Sequence, residues 1–214
     1  MEWHSNDAQI LASIDRDIDS HIFPPAEYEI VRRVIYATAD FEYKSLIHFS
    51  DGALEAGATA LSLRQPVVVD VSMVKAAIAQ KIQKTFINPV YCALDSVISS
   101  ANNIDIDKNN PNKTIAALGT EVLAKPYPQG IFVIGQSPTA LNVLISLIEN
   151  KLVNPGLIIA TPPEFAGLES KKQILQKFTV PHIITRSTKG NAAIASAICE
   201  GLIDLAWQVY GKVS

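Results

Sequence analysis

Three times in the C-terminal half, a run of four apolar residues is followed by a short polar turn and then by a helical pattern, and this repeat constrains the fold more than any other feature. Ile131-Phe132-Val133-Ile134 leads through Gly135-Gln136 to Ser137-Pro138 and a stripe of Leu141, Leu144, Ile145 and Ile148. Leu157-Ile158-Ile159-Ala160 leads through Thr161-Pro162-Pro163 to a helix expected from about Leu168. His182-Ile183-Ile184-Thr185 leads through residues 186–190 to a last helix ending near Tyr210. Unbroken apolar runs this short are strands buried on both faces. Strands alternating with helices predict an α/β fold: a doubly wound, mainly parallel sheet flanked by helices. Ser137 is the expected N-cap and Pro138 the first helical residue. Backbone N–H groups at that helix start would face outward and suit an anionic or carbonyl group.

The N-terminal half reads in the same terms. Residues 8–18 have a helical spacing of Ile10, Leu11, Ile14 and Ile18 that places Ser13 among them. On the next helix Ile30, Val31, Val34 and Ile35 share one face, which leaves Arg32, Arg33 and Tyr36 on the other. The turn Ala39-Asp40-Phe41-Glu42-Tyr43 follows at once. Val67-Val68-Val69 is a buried strand. Asp70 therefore stands at its carboxyl end, where open α/β sheets hold their ligands, or else caps the helix that begins near Ser72. Val90 to Leu94 is a further candidate strand. The asparagine-rich residues 102–112 read as a surface loop, and Lys113-Thr114 opens another helix. At 214 residues, 48% of them apolar, the chain suits one domain, residues 1–214, with a core that needs neither metal nor disulfide.

Several functional classes fall away. A net charge of −3 without a basic run argues against a nucleic-acid partner. No basic, apolar leader opens the sequence, and no apolar run reaches the ~18 residues of a membrane span, so a cytoplasmic location is expected. Cys92 and Cys199 stand apart, which predicts buried thiols. The four histidines are scattered, so no metal site is expected. Neither GxGxxG, GxxxxGK[ST] nor GxSxG occurs.

The segment RRVIYATADF resembles the ArgxIleHisAlaThrAlaAspPhe signature of the precorrin-8X methylmutases, and HFSDGALEAGATAL extends the likeness. Asp70-Val71-Ser72-Met73-Val74 resembles that family's AspxxMetVal, and IGQSPTAL its IleGlyAsnAlaProThrAlaLeu turn. Glu169-Ser170-Lys171 and Lys189-Gly190-Asn191 follow in the family's order. Where the family carries its catalytic histidine, this chain has Tyr36.

The resemblance implies an isomerase of corrin biosynthesis that needs no cofactor and works as a homodimer. Its substrate would be a tetrapyrrole, precorrin-8X or cobalt-precorrin-8. A methyl group would move from C-11 to C-12 to give hydrogenobyrinate or cobyrinate. Tyr36 would be the catalytic donor. Substrate contacts would come from Ser13, Arg33, Asp70, Met73, Lys113, Thr114, Gly135, Gln136, Ser137 and Lys171. A phenol is a weaker acid than an imidazolium, although Arg32, one turn earlier, would strengthen it. The alternative is a corrinoid carrier or product-holding protein with reduced or no mutase activity.

Overall fold

The structure is a computed structural model and describes residues 5–18, 22–99, 114–164, 171–186 and 188–211. One six-stranded sheet runs through it in the order β1-β6-β5-β4-β2-β3, formed by β1 (Ile47–Phe49), β2 (Val67–Val69), β3 (Val90–Cys92), β4 (Ile131–Ile134), β5 (Leu157–Ala160) and β6 (His182–Thr185). Every pairing is parallel except β1 with β6, which is antiparallel and sets His48 opposite Ile184. β1 is the strand that the sequence hides. Its three residues are too few to show alternation, and they follow directly on the four-residue helix α3 (Tyr43–Leu46).

Helices cover both faces, as the βα repeats require. On one face lie α2 (Pro25–Thr38), α4 (Ala53–Ser62), α5 (Ser72–Lys84) and α10 (Ala192–Tyr210), with α1 (Ser5–Asp17) packed outside α2. Their inward residues, among them Ile30, Val34, Ile78, Ile198 and Leu202, meet Val67, Val133, Ile159 and Ile183 from alternate positions of the strands. On the other face α7 (Ile115–Ala124), α8 (Pro138–Glu149) and the five-residue α9 (Lys171–Leu175) close over Val68, Phe132, Ile158 and Ile184, while α6 (Ala93–Ser99) follows β3. Each of these larger side chains, taken fully out of water, contributes roughly 1.5–3 kcal/mol.

Helix α10 is 19 residues long and apolar enough, by composition, to cross a membrane. Its apolar face is instead buried against the sheet and α2, and its two charges, Glu200 and Asp204, pair with Lys81 of α5 and, for Asp204, with Arg33 of α2. The helix predicted from about Leu168 is described only from Lys171. Residue 94, expected in β3, belongs to α6. Both cysteines are buried free thiols, and burial pushes that of Cys199 up to about 12.

The antiparallel edge carries a pH dependence. His182 is 2% exposed, its Nδ1 lies 2.9 Å from the Val180 carbonyl, and its ring centroid is 6.1 Å from that of His48. Burial lowers the pKa of both imidazoles, and for His48 the neighbouring Arg186 and His182 add to it. Above pH ~6.5 the rings are neutral in folded and unfolded chains alike. As pH falls through ~6.5, the unfolded chain takes up protons that the folded one refuses, and stability is lost. Thermal unfolding should therefore show a Tm that is flat above pH 7 and falls between about pH 6.5 and 5. The His182→Gln variant should show a shallower fall, and an unchanged slope would rule the ring out.

Candidate active site

β2 and β4 are neighbours in the sheet, yet β2 runs on to β3 on one side while β4 runs on to β5 on the other. The crevice outside their carboxyl ends is thus the topological switch point, where open sheets place ligands. Asp70 follows β2 and is fully buried. One carboxylate oxygen accepts the Gly135 N–H at 3.0 Å; the other accepts those of Gln136 at 2.8 Å and Ser137 at 2.7 Å. Three N–H groups of the β4–α8 turn, that of the N-cap Ser137 among them, are thereby taken by an internal anion rather than left facing outward. Burial raises the Asp70 pKa, and the three backbone donors oppose that rise.

The turn held by Asp70 packs against the starts of α5 and α10. Gly135 sits where a Cβ would come within 2.8 Å of the Ala192 Cα and 3.2 Å of Val74, so only glycine lets the β4–α8 turn approach the starts of α10 and α5. Ser137 caps α8 as expected, accepting from the Ala140 N–H, and Pro138 is the first helical residue. A chain of hydroxyls joins Ser137 to Thr139 at 3.0 Å and Thr139 to Thr114 at 2.6 Å. Thr114 in turn caps α7 by accepting from Ala117 N–H.

Between the end of α2 and the first turns of α5 and α10 opens a cleft of about 410 Å³. Tyr36 and Arg33 from α2, Met73 from α5 and the small residues Ala193 and Ala197 from α10 line it, together with Lys81 and Glu200. Tyr36 remains 39% exposed and Met73 more so, while Arg33 is only 6% exposed. That burial differs from the free outer face expected of Arg33. Its guanidinium is 2.8 Å from Asp204 and 3.4 Å from Glu29, and Asp204 also holds Lys81 at 2.6 Å. Arg32, expected to act on Tyr36, is bound by Glu29 and by Asp15 at 2.9 Å. A larger cleft, about 660 Å³, lies elsewhere. Gln129 and Gly156 on its wall immediately precede β4 and β5, which places it at the amino ends of the strands, away from the switch point.

The turn after Tyr36 is tied down. Ala39 takes a left-handed conformation at φ 53°, and Lys189, from the β6–α10 loop, reaches Asp40 at 2.6 Å and Glu42 at 2.8 Å. The hydrogen bond from Lys189, then the Glu42 N–H, hold the Asp40 carboxyl below its usual range. Lys171 begins α9 and is half-buried. Its neighbour Lys172 is 1% exposed, donates to the Pro162 carbonyl and the Thr185 hydroxyl, and pairs with Glu164 at 3.7 Å. Burial lowers the pKa of that lysine. Ser13 is half-buried on α1, and Lys113 lies outside the described residues. Among the described residues no group of three or more His, Cys, Asp or Glu side chains is placed to hold a metal ion.

Lys81, Glu200, Asp204 and Lys172 escaped the reading of the sequence. Their only signal there is position: Lys81 lies eight residues after Met73, and Glu200 and Asp204 are the two charges in an otherwise apolar helix.

A parallel α/β sheet with a cleft outside its carboxyl edge, and a phenol and charged groups on the cleft wall, defines a small-molecule enzyme of the open-sheet class. The model of the precorrin-8X methylmutase family matches residues 7–205, and the chain belongs to that family. It is 33% identical to a cobalt-precorrin-8 methylmutase of Synechocystis sp. over 211 residues, covering 92% of this chain and 93% of that protein. With the cobalt-precorrin-8 methylmutase of Methanocaldococcus jannaschii it shares 35% identity over 183 residues, or 85% and 80% of the two chains. The crystal structure of precorrin-8X methylmutase from Thermus thermophilus superposes with a TM-score of 0.83 at 30% identity, covering 98% of this chain and 99% of that one.

Proposed function

We propose that the chain is a methylmutase of corrin biosynthesis, moving a methyl group between adjacent ring carbons of a tetrapyrrole. The observation that carries this reading is that Tyr36 and Arg33 of α2 line one cleft with Met73 of α5. The names of the relatives at 33% and 35% identity favour cobalt-precorrin-8 as the substrate.

In this mechanism the apolar wall of Met73, Ala77, Ala193 and Ala197 takes the face of the macrocycle, and the exposed Tyr36 hydroxyl donates a hydrogen bond toward it. Positive charge then gathers on the conjugated ring while the methyl group, with its bonding electron pair, leaves one carbon for the next. The phenol keeps its proton, the product is an isomer of the substrate and nothing is consumed, so no cofactor is required. The turn built by Asp70, Gly135, Gln136 and Ser137 packs against the starts of α5 and α10 and so positions them. Thr114, Lys113, Lys171 and Ser13 are proposed to meet the carboxylate arms.

Pockets for drug-sized ligands span about 300–1,000 Å³, and a tetrapyrrole with its arms is larger than most such ligands. A cleft of 410 Å³ holds only part of it. We therefore propose that a second copy of the chain completes the site in a homodimer, and that the enzyme works in the cytoplasm as one domain without nucleic acid.

Incubating the pure protein with cobalt-precorrin-8 and following the visible spectrum tests the function. Conversion to the rearranged corrin is expected. A stable complex with an unchanged spectrum would instead identify a corrinoid carrier.

A further inference from the structure

Three helices bring a connected set of charges to the Tyr36 cleft and the packing behind its wall. α2 supplies Glu29 and Arg33, α5 supplies Lys81, and α10 supplies Glu200 and Asp204. Arg33 sits between Glu29 and Asp204, and Lys81 lies 2.6 Å from Asp204 but 3.6 Å from Glu200. Both cations therefore turn first to Asp204, whose side chain is 11% exposed; that of Glu200 is 35% exposed, and Glu200 itself lines the cleft. Of these charged groups only Arg33, Lys81 and Glu200 line the cleft itself, so Glu200 is the one carboxylate on its wall among the described residues. The group left with the least compensation is Glu200.

We propose that Glu200 is a further catalytic residue, the fixed anion that stabilises positive charge on the macrocycle as the methyl group migrates. The inference rests on the methylmutase reading of the cleft. Tyr36 lends hydrogen-bond polarisation from α2, and the Glu200 carboxylate supplies the opposite charge from α10 across the same opening. A carboxylate held in a cleft walled by alanines and methionine acts through a medium less screening than water and needs no reorientation during the reaction. Lys81, 3.6 Å away on α5, holds it in place.

The test compares Glu200→Gln and Glu200→Asp with the parent on cobalt-precorrin-8. Glu200→Gln is expected to lower kcat by about 10- to 100-fold with KM changed less than about threefold, while Glu200→Asp recovers most of the rate. A spectroscopic readout separates charge from scaffolding. The pH at which the bound macrocycle takes up a proton, followed by its visible absorbance, should be about one unit lower in Glu200→Gln. An unchanged kcat, a loss expressed wholly as raised KM, or an unmoved protonation of the bound ring would each overturn the assignment. If the parent itself fails to convert the substrate, the methylmutase reading fails instead; a Glu200→Gln enzyme as fast as an active parent sinks only the role of Glu200.

Discussion

Replacing Tyr36 with phenylalanine is expected to lower kcat by about 10²- to 10⁴-fold, the range that a positioned proton donor contributes. The phenyl ring keeps the shape of the cleft wall, and only the hydroxyl is lost. Because Tyr36 is 39% exposed, the change should leave stability within about 0.5 kcal/mol, so the loss cannot be mistaken for unfolding. KM should hardly move, since the apolar contacts survive. The companion variant Tyr36→His puts a stronger acid at the same place on α2 and is expected to exceed the parent in kcat. A Tyr36→Phe enzyme with parental kcat would remove the phenol from the mechanism.

The second large effect is on stability and belongs to Asp70. Changing it to alanine leaves the N–H groups of Gly135, Gln136 and Ser137 without the acceptor they share in the structure. Orphaning a buried donor costs about 1–3 kcal/mol, and three donors at one turn, two of them near water, imply a total of roughly 3–5 kcal/mol. For a chain of this size that is a fall in Tm of roughly 6–20 °C. Asp70→Asn keeps one acceptor but sets an amide N–H against backbone N–H groups, so it should be intermediate. Thermal unfolding followed by circular dichroism measures both, and an Asp70→Ala protein as stable as the parent would mean that the turn holds itself. Because this turn abuts Ala192 and Val74, the same variant should also weaken catalysis by shifting the starts of α10 and α5.

Much of the fold was legible because its signals are local. β4, β5 and β6 are continuous apolar runs, and Ser137 and Pro138 mark the start of α8 where cap chemistry places it. β1 was not legible: a three-residue edge strand is defined by its partner β6 rather than by any pattern of its own. Among the proposed site residues, Tyr36, Met73 and Arg33 line the cleft, but the Arg33 guanidinium, like the Asp70 carboxylate, is engaged within the protein. Helical periodicity gives the angle of Arg33 around α2, but not that α10 would bring Asp204 to meet it.

What the linear order of residues determined was the alternation of strand and helix, and with it the position of Asp70 and the β4–α8 turn at the carboxyl ends of their strands. Those features depend on spacing, caps and turns within a few residues of one another. Only the tertiary structure decided that Asp70 would bind the β4–α8 turn itself and that Lys81 would favour Asp204 over Glu200, leaving Glu200 as the carboxylate on the wall of the Tyr36 cleft. Such outcomes turn on distances of a few ångströms between elements up to 170 residues apart, as for Arg33 and Asp204. No local rule carries that information.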